Sequence, residues 1–340
     1  MTDLNRRHAL AAAPLAALAA AGIGRAAAQG APASAPPPPP EDNPGVYRTR
    51  VGSLDVAVVS DGFFFFDPVH PTLGGNVPAE VFGAAAEAAA MPADGLAHVN
   101  ALLVRGNGRT ALIDAGSGGS FVPTCGRLTR NLETLGVAPA DVTDVLLTHA
   151  HPDHAGGLMR PGEDRQPAFP NATVHVTEAE HTFWRGAPRL EKMGIPEELK
   201  ASVVKVANDA LDTAGDRLQM VVEGAQPVPG FTATSSPGHT PGHCGYVVSD
   251  GEESLYFAGD TLFFAPVLMA HPEWHVAFDA DPVQAAATRF REMDRIASDR
   301  LRVAAPHLPF PALARLRPNG LGGFGYLPES YRFAVPPAAG

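Results

Sequence analysis

The sequence predicts an α/β domain built from two β-sheets with helices on the outside. Two observations carry this reading. Apolar runs of strand length recur along the chain, and turn signals such as Gly106-Asn107-Gly108 and Ser249-Asp250-Gly251 join several of them into hairpins. Segments of helical period lie between these runs, so strands and helices are interleaved rather than segregated. The span 45–335 is long for one domain and offers ample chain for a large core.

The elements follow in order. Asn5-Arg6-Arg7-His8 precedes a mild apolar stretch that runs to about Ile23, and Ala26-Ala27-Ala28 offers a small-residue cleavage site. Residues 1–28 have the layout of a secretory signal, and the paired arginines point to the twin-arginine route. The apolar run is short and rich in Ala and Gly, so no stable membrane anchor is expected. The implied location is the periplasm or the exterior. Residues 29–44 are a Pro/Ala-rich linker with the run Pro36 to Pro40, expected to be extended.

Strands are expected at Leu54 to Ser60, Val99 to Arg105, Thr110 to Ile113, Val142 to Leu147 and Thr173 to Val176. Further strands are expected at Leu218 to Val222, Tyr246 to Ser249, Leu255 to Ala258 and Leu301 to Ala304. Helices are expected at Ala79 to Ala90, Arg127 to Leu135, Glu178 to Arg185, Glu197 to Ala210 and Pro282 to Ser298. The last has the clearest signature. Asp281 can cap it, Pro282 takes the first helical position, and Phe290, Met293 and Ile296 share one apolar face.

The formal net charge is −11. Residues 1–28 hold three Arg and one Asp, a net +2, so the remainder carries about −13. Such an acidic surface argues against nucleic acid as a partner. The two cysteines, Cys125 and Cys244, make no metal pattern. They are expected to be separate, buried and reduced.

The richest segment is Thr148-His149-Ala150-His151-Pro152-Asp153-His154. It places four metal-ligand side chains, His149, His151, Asp153 and His154, within six residues after the apolar run Val145-Leu146-Leu147. In an extended segment, residues two apart point the same way, so His149 and His151 can hold one ion. Asp153 and His154 lie past the turn and can face a second. Imidazole nitrogen and carboxylate oxygen suit zinc and similar cations. Three later segments add candidates. Ser236-Pro237-Gly238-His239-Thr240-Pro241-Gly242-His243 carries two histidines in a glycine-proline turn. Gly259-Asp260 and Ala304-Ala305-Pro306-His307 each follow an apolar strand.

With this order of motifs the chain resembles the metallo-β-lactamase-fold hydrolases from about Gly45 onward. The resemblance implies a four-layer αββα sandwich with two divalent metal ions at the edge between the sheets. Zinc is the expected metal, with manganese, cobalt or iron as alternatives. It also implies roles: His149, His151 and His239 on one ion, Asp153, His154 and His307 on the other, and Asp260 bridging both. His243 is implied to be structural. Asp260 stands where one β-lactamase subclass has a cysteine, which favours a dinuclear hydrolase. A solvent oxygen shared by two cations would be the nucleophile, since one zinc can lower the pKa of bound water from about 15.7 to about 7. Asp260 would position it, and no Ser-His-Asp or Cys-His nucleophile is needed.

Within that superfamily the chain is similar to the methyl parathion hydrolase group. The similarity rests on Ser60-Asp61-Gly62-Phe63-Phe64-Phe65-Phe66-Asp67, on His307-Leu308-Pro309-Phe310-Pro311 followed by Gly325-Tyr326-Leu327-Pro328, and on the export signal. The implied substrates are small neutral esters, lactones or organophosphate triesters. Phe121, Trp184 and Phe263 would hold an aromatic leaving group, with Leu262 and Phe64 beside them. Side chains alternate along a strand, so four consecutive Phe cannot all face one core. An acyl-homoserine lactonase using the same metals is the nearest alternative, and an iron-dependent oxidoreductase of the sulfur dioxygenase type is a more distant one. A homodimer is the expected assembly.

Overall fold

The structure, a computed structural model, describes residues 43–336 apart from 92–94, 163 and 266. The expected signal and most of the linker lie outside the described residues. Among the described residues, no helix is long and apolar enough to cross a membrane.

Two mixed sheets form the centre. The first runs in chain order: β1 (Val46–Val51), β2 (Leu54–Phe65), β3 (Leu96–Gly106), β4 (Arg109–Ile113), β5 (Asp144–Leu146), β6 (Thr173–Thr177) and β7 (Leu218–Val221). Its first half is antiparallel, and β4 to β7 are parallel. The second sheet has six strands. They are β8 (Phe231–Ser235), β9 (Cys244–Asp250), β10 (Glu253–Phe257), β11 (Val303–Ala304), β12 (Leu313–Pro318) and β13 (Phe324–Pro328), with a parallel pair at β10 and β11.

Period-2 burial sets the layers. In β2 to β5, Val56, Val58, Leu102, Val104, Ile113 and Leu146 share a core with Phe231, Tyr246, Val248 and Tyr256 of the second sheet. The alternate residues Ala57, Val59, Leu103, Leu112 and Val145 face the other way. They pack against α3 (Leu128–Thr134), through Leu128 and Leu132, and α6 (Glu197–Ala214), through Val203, Ala207 and Leu211. A strand buried on both faces reads as a continuous apolar run because each parity has its own neighbour. On the second sheet, α8 (Pro282–Ser298) lies against β12 and buries Met293 and Ile296. The result is the expected α/β architecture of two sheets with helices outside, the metallo-β-lactamase fold.

The helix signals work as chemistry requires. The Asp281 carboxylate accepts a hydrogen bond from the Gln284 amide at 3.1 Å, with Pro282 in the first turn. Glu197 and Glu198 sit at the positive end of α6, which Gly215 closes at φ 53°. α6 runs one turn beyond the expected end at Ala210. The β3–β4 hairpin turns through Asn107 and Gly108, both at positive φ, as this tight turn demands.

Several expectations need correction. The strand beginning at Leu54 does not stop at Ser60. It continues to Phe65 because the pairing with β3 steps past Asp61 at a bulge. The phenylalanines therefore split by parity: Phe64 and Phe66 are buried, and Phe65 is half exposed. The strands Val46–Val51, Phe231–Ser235, Leu313–Pro318 and Phe324–Pro328 are additional to those the sequence predicts. All but Leu313–Pro318 lie on sheet edges, where one side of the ladder has no neighbour to impose a pattern. Cys125 and Cys244 are free and buried, in agreement with the separate reading.

Candidate metal centre

The seven expected ligand residues come from five places and converge at one end of the strands. His149 and His151 follow β5, and Asp153 and His154 lie in the single turn α4 (Pro152–Ala155). His239 sits in the loop from β8 to β9, Asp260 follows β10 and His307 follows β11. All seven are buried.

Three sets of ligand atoms come within 4.8 Å of one another: His149, His151 and His239; His149, His154 and Asp260; Asp153, His154 and His307. Asp260 lies between the groups. Its Oδ2 is 3.2 Å from His239 Nε2 and 3.3 Å from His307 Nε2, and its Oδ1 is 3.4 Å from His154 Nε2. Asp153 Oδ2 is 3.5 Å from His154 Nε2 and 3.4 Å from His307 Nε2. His151 Nδ1 faces His239 Nε2 at 2.9 Å.

The donor set fits divalent cations on a direct observation. Among the described residues, His149 Nε2, His151 Nε2, His154 Nε2 and Asp260 Oδ1 are buried with no hydrogen-bond partner. Leaving one such atom unsatisfied costs about 1–3 kcal/mol. Four in one place mark a site that expects something else there.

The remaining ring nitrogens are spoken for. His154 Nδ1 pairs with Asp114 Oδ2 at 2.9 Å, and His239 Nδ1 with Asp279 Oδ1 at 2.9 Å. His307 Nδ1 donates to the His98 carbonyl at 2.6 Å, and His149 Nδ1 meets the Thr148 hydroxyl at 3.0 Å. Asp114 also accepts from the Thr148 amide, and Asp279 is paired with buried Arg289. Such outer partners orient the rings and raise their basicity. His243 does not join the set. Its Nε2 accepts the Asp260 amide at 2.9 Å and its Nδ1 meets the Ser236 hydroxyl at 2.8 Å, so it fixes the backbone of the central carboxylate.

Electrostatics separate the rings into two kinds. Burial and neighbouring imidazoles hold His149 and His151 well below the ordinary imidazole range. Burial also lowers His243, to about 3. At His239 burial opposes the charged ring, but Asp260 and Asp279 outweigh it and raise the pKa to about 9. At His154 burial is likewise overcome, by Asp260, Asp153 and Asp114. Burial disfavours charge on Asp153 too, yet His154 and His307 bring its pKa down to about 2.

A cavity of about 180 Å³ opens onto these residues. His151, Asp153, His239, Asp260 and His307 form its polar wall. Phe64, Phe66, Phe121, Phe263 and Phe278 form the apolar wall, with Leu199, Ser202 and Val203 of α6. Among the described residues, no Lys or Arg lines it. The Phe64 ring meets Phe121 at 5.1 Å and His307 at 5.6 Å, and Phe263 meets His307 at 4.7 Å.

Two expected pocket residues lie elsewhere. Leu262 is fully buried in the core between the sheets. Trp184 is behind the site: its ring meets His151 at 5.6 Å, and its Nε1 donates to Glu180 at 2.6 Å. Asp114, Asp279, Glu180 and Asp61 act as supports that the sequence by itself does not reveal. Asp114 alone had a local signal, a carboxylate ending the apolar run Thr110 to Ile113.

A sandwich of two sheets, with a carboxylate set between two histidine groups at the strand ends, defines the class as an α/β protein with a candidate metal centre. The chain belongs to the metallo-beta-lactamase superfamily, whose family model matches residues 94–301. It is similar to AidC, a dizinc quorum-quenching lactonase solved with its product N-hexanoyl-L-homoserine. That match has 26% identity and a TM-score of 0.79 over 85% of this chain and 98% of that one. It is also similar to the hydrolase AbOPH of the β-lactamase superfamily, with 28% identity and a TM-score of 0.76 over 86% and 100%. The probable metallo-hydrolase Mb2322c of Mycobacterium bovis is 26% identical over 197 residues, 53% of this chain and 59% of that protein. The uncharacterized protein YobT of Bacillus subtilis is 27% identical over 167 residues, 48% of this chain and 62% of that protein. The chain thus matches about three fifths of the length of these curated relatives.

Proposed function

We propose that this protein is an exported dinuclear metallo-hydrolase of neutral esters, lactones or organophosphate triesters, acting in the manner of the methyl parathion hydrolase group. His149, His151 and His239 would hold one cation, Asp153, His154 and His307 the other, with Asp260 between them. Zinc suits this nitrogen and oxygen set best. When bound, the pair supplies hydroxide at neutral pH and Lewis-acid stabilisation of charge developing on the substrate.

The chain's own residues do the rest. Asp114 and Asp279 hold His154 and His239 in register, and His243 holds the Asp260 backbone. Phe64, Phe121 and Phe263 exclude water from one side of the cavity. The observation that carries the reading is the apolar cavity without Lys or Arg, opening directly onto the ligand set. An anionic substrate would find no Lys or Arg among the described residues of that wall, whereas a neutral acyl or aryl group buries apolar surface there.

A second reading, an acyl-homoserine lactonase, is supported by the similarity to AidC and its bound product. The two readings share the metals and differ in what the apolar wall holds. A kinetic panel separates them: zinc-, manganese- and cobalt-loaded protein on paraoxon, dihydrocoumarin, an acyl-homoserine lactone and a β-lactam. Preference for the acyl-homoserine lactone selects the second reading. Inactivity on every neutral substrate, or oxygen consumption by iron-loaded protein, would overturn both. Export is tested separately by fusing residues 1–30 to a reporter, where strictly cytoplasmic retention refutes it.

A further inference from the structure

We infer that Glu180 is the positioning residue for the first cation's ligands, its buried carboxylate bolting the two loops that carry His149, His151 and His239 to one helix. The inference rests on the proposal that these three histidines hold one cation.

Glu180 lies in α5 (Glu178–Arg185) and is fully buried. Its Oε1 accepts the Ala150 amide at 2.9 Å and Trp184 Nε1 at 2.6 Å. Its Oε2 accepts the Thr240 hydroxyl at 2.5 Å and the Gly242 amide at 3.2 Å. Ala150 sits between His149 and His151. Thr240 follows His239, and Gly242 belongs to the same turn. Trp184, one helical turn along α5, backs His151 with the two rings tilted at 66°.

The contact is close by construction. Thr177, which caps α5, donates from its hydroxyl to the Gly242 carbonyl at 2.6 Å. A Cβ on Gly242 would lie 2.0 Å from the Glu180 amide, so only glycine lets the turn approach.

Only a carboxylate satisfies this set. It offers two oxygens to four donors and has no Lys or Arg among its partners. A Gln would aim its amide N–H groups at the Ala150 and Trp184 donors or at Gly242, depending on how it turns. The support is also one-sided. No partner of Glu180 holds His154 or His307, which rest instead on Asp114 and the His98 carbonyl. A general packing role would not discriminate between the two cation groups. Glu180 should.

The test is Glu180→Gln in the full chain, loaded with zinc and titrated with a competing chelator while bound metal is counted. The expected result is first-ion affinity lowered about 10–100-fold, the usual cost of losing a support behind a ligand, with the second ion unchanged. X-ray absorption of the one-ion form should then count two imidazoles on the retained zinc, His154 and His307, rather than three. The exposed Glu178→Gln on the same helix serves as the control and should change neither ion. Equal weakening of both ions, no weakening, or three imidazoles on the retained zinc would overturn the assignment. If Glu180→Gln does not fold, Thr240→Val removes one bond of the clamp and should give a smaller loss of the first ion alone, with the same outcomes counting against it. Wild-type protein that fails to take up two ions would instead overturn the metallo-hydrolase reading itself.

Discussion

Three influences meet on the ring of His239. Burial penalises its charge, while Asp260 and Asp279 favour it strongly enough to carry the pKa to about 9. A raised imidazole pKa stabilises the metal-free fold fully below the unfolded value near 6.5, and the contribution fades as pH rises through about 9. Asp153, at about 2, acts in the opposite sense. Its contribution is present above the ordinary carboxylate value of 3.8 and is lost as pH falls toward about 2. Below about 6.5 the depressed rings of His149, His151 and His243 oppose the His239 contribution, because the unfolded chain takes up protons that the folded rings refuse. The raised pKa of His239 therefore shows by itself above that value, as a fall in the denaturant midpoint of the metal-free protein from pH 7 to 9. A midpoint that keeps rising from pH 7 to 9 would contradict the assignment. The same charges govern metal uptake. A cation takes the neutral ring, so zinc binding at pH 7 should expel protons from His239 and His154. Calorimetry in buffers of different ionisation enthalpy reads this directly, and heats independent of buffer would refute it.

At the scale of elements, the bulge in β2 is the feature with most consequence. It re-aims Asp61 out of the ladder and into the loop after β4. There the buried carboxylate accepts the amides of Ser117, Gly126 and Leu128 and the Ser117 hydroxyl. That loop carries Ser120, Phe121 and Val122 of the cavity wall. Asp61→Ala strands three backbone donors, so it should cost about 3 kcal/mol in urea unfolding and weaken discrimination among substrates by the size of their apolar group. A loss under about 1 kcal/mol would mean other contacts hold the loop. The helix cap gives a smaller and cleaner number. Asp281→Ala should lower stability by about 1 kcal/mol, since it removes the bond to the Gln284 amide at the start of α8.

Across the whole molecule, the first sheet is buried on both faces while the ligands gather at one end of it. Leu103 illustrates the cost of disturbing that arrangement. It is 1% exposed in the core beneath α3 and α6, so Leu103→Ala should cost about 2–5 kcal/mol. Leu321 is 91% exposed, and Leu321→Ala should stay within about 0.5 kcal/mol. Unfolding curves that rank these two variants alike would deny the layered core its role.

Much of this was readable in the chain itself. The strand-end spacing of His149, His151, Asp153 and His154 and the later His239, Asp260 and His307 are local and chemically distinctive, so they survive without a structure. So do the apolar runs of β2 to β5 and the cap of α8. The same holds for the prediction that four consecutive phenylalanines must divide. The supports were not readable. Asp279 is 40 residues from His239, and Glu180 is 60 from Thr240. A buried carboxylate has no sequence signature until its donors are placed around it. Trp184 and Leu262 make the same point from the other side. Each sits near a ligand in sequence, yet one is turned behind His151 and the other into the core between the sheets. By itself the sequence determined which atoms can bind cations, because ligand chemistry belongs to residue type and short spacing. Only the tertiary structure decided which residues hold those ligands still and which face the cavity, because both depend on contacts between segments far apart in the chain.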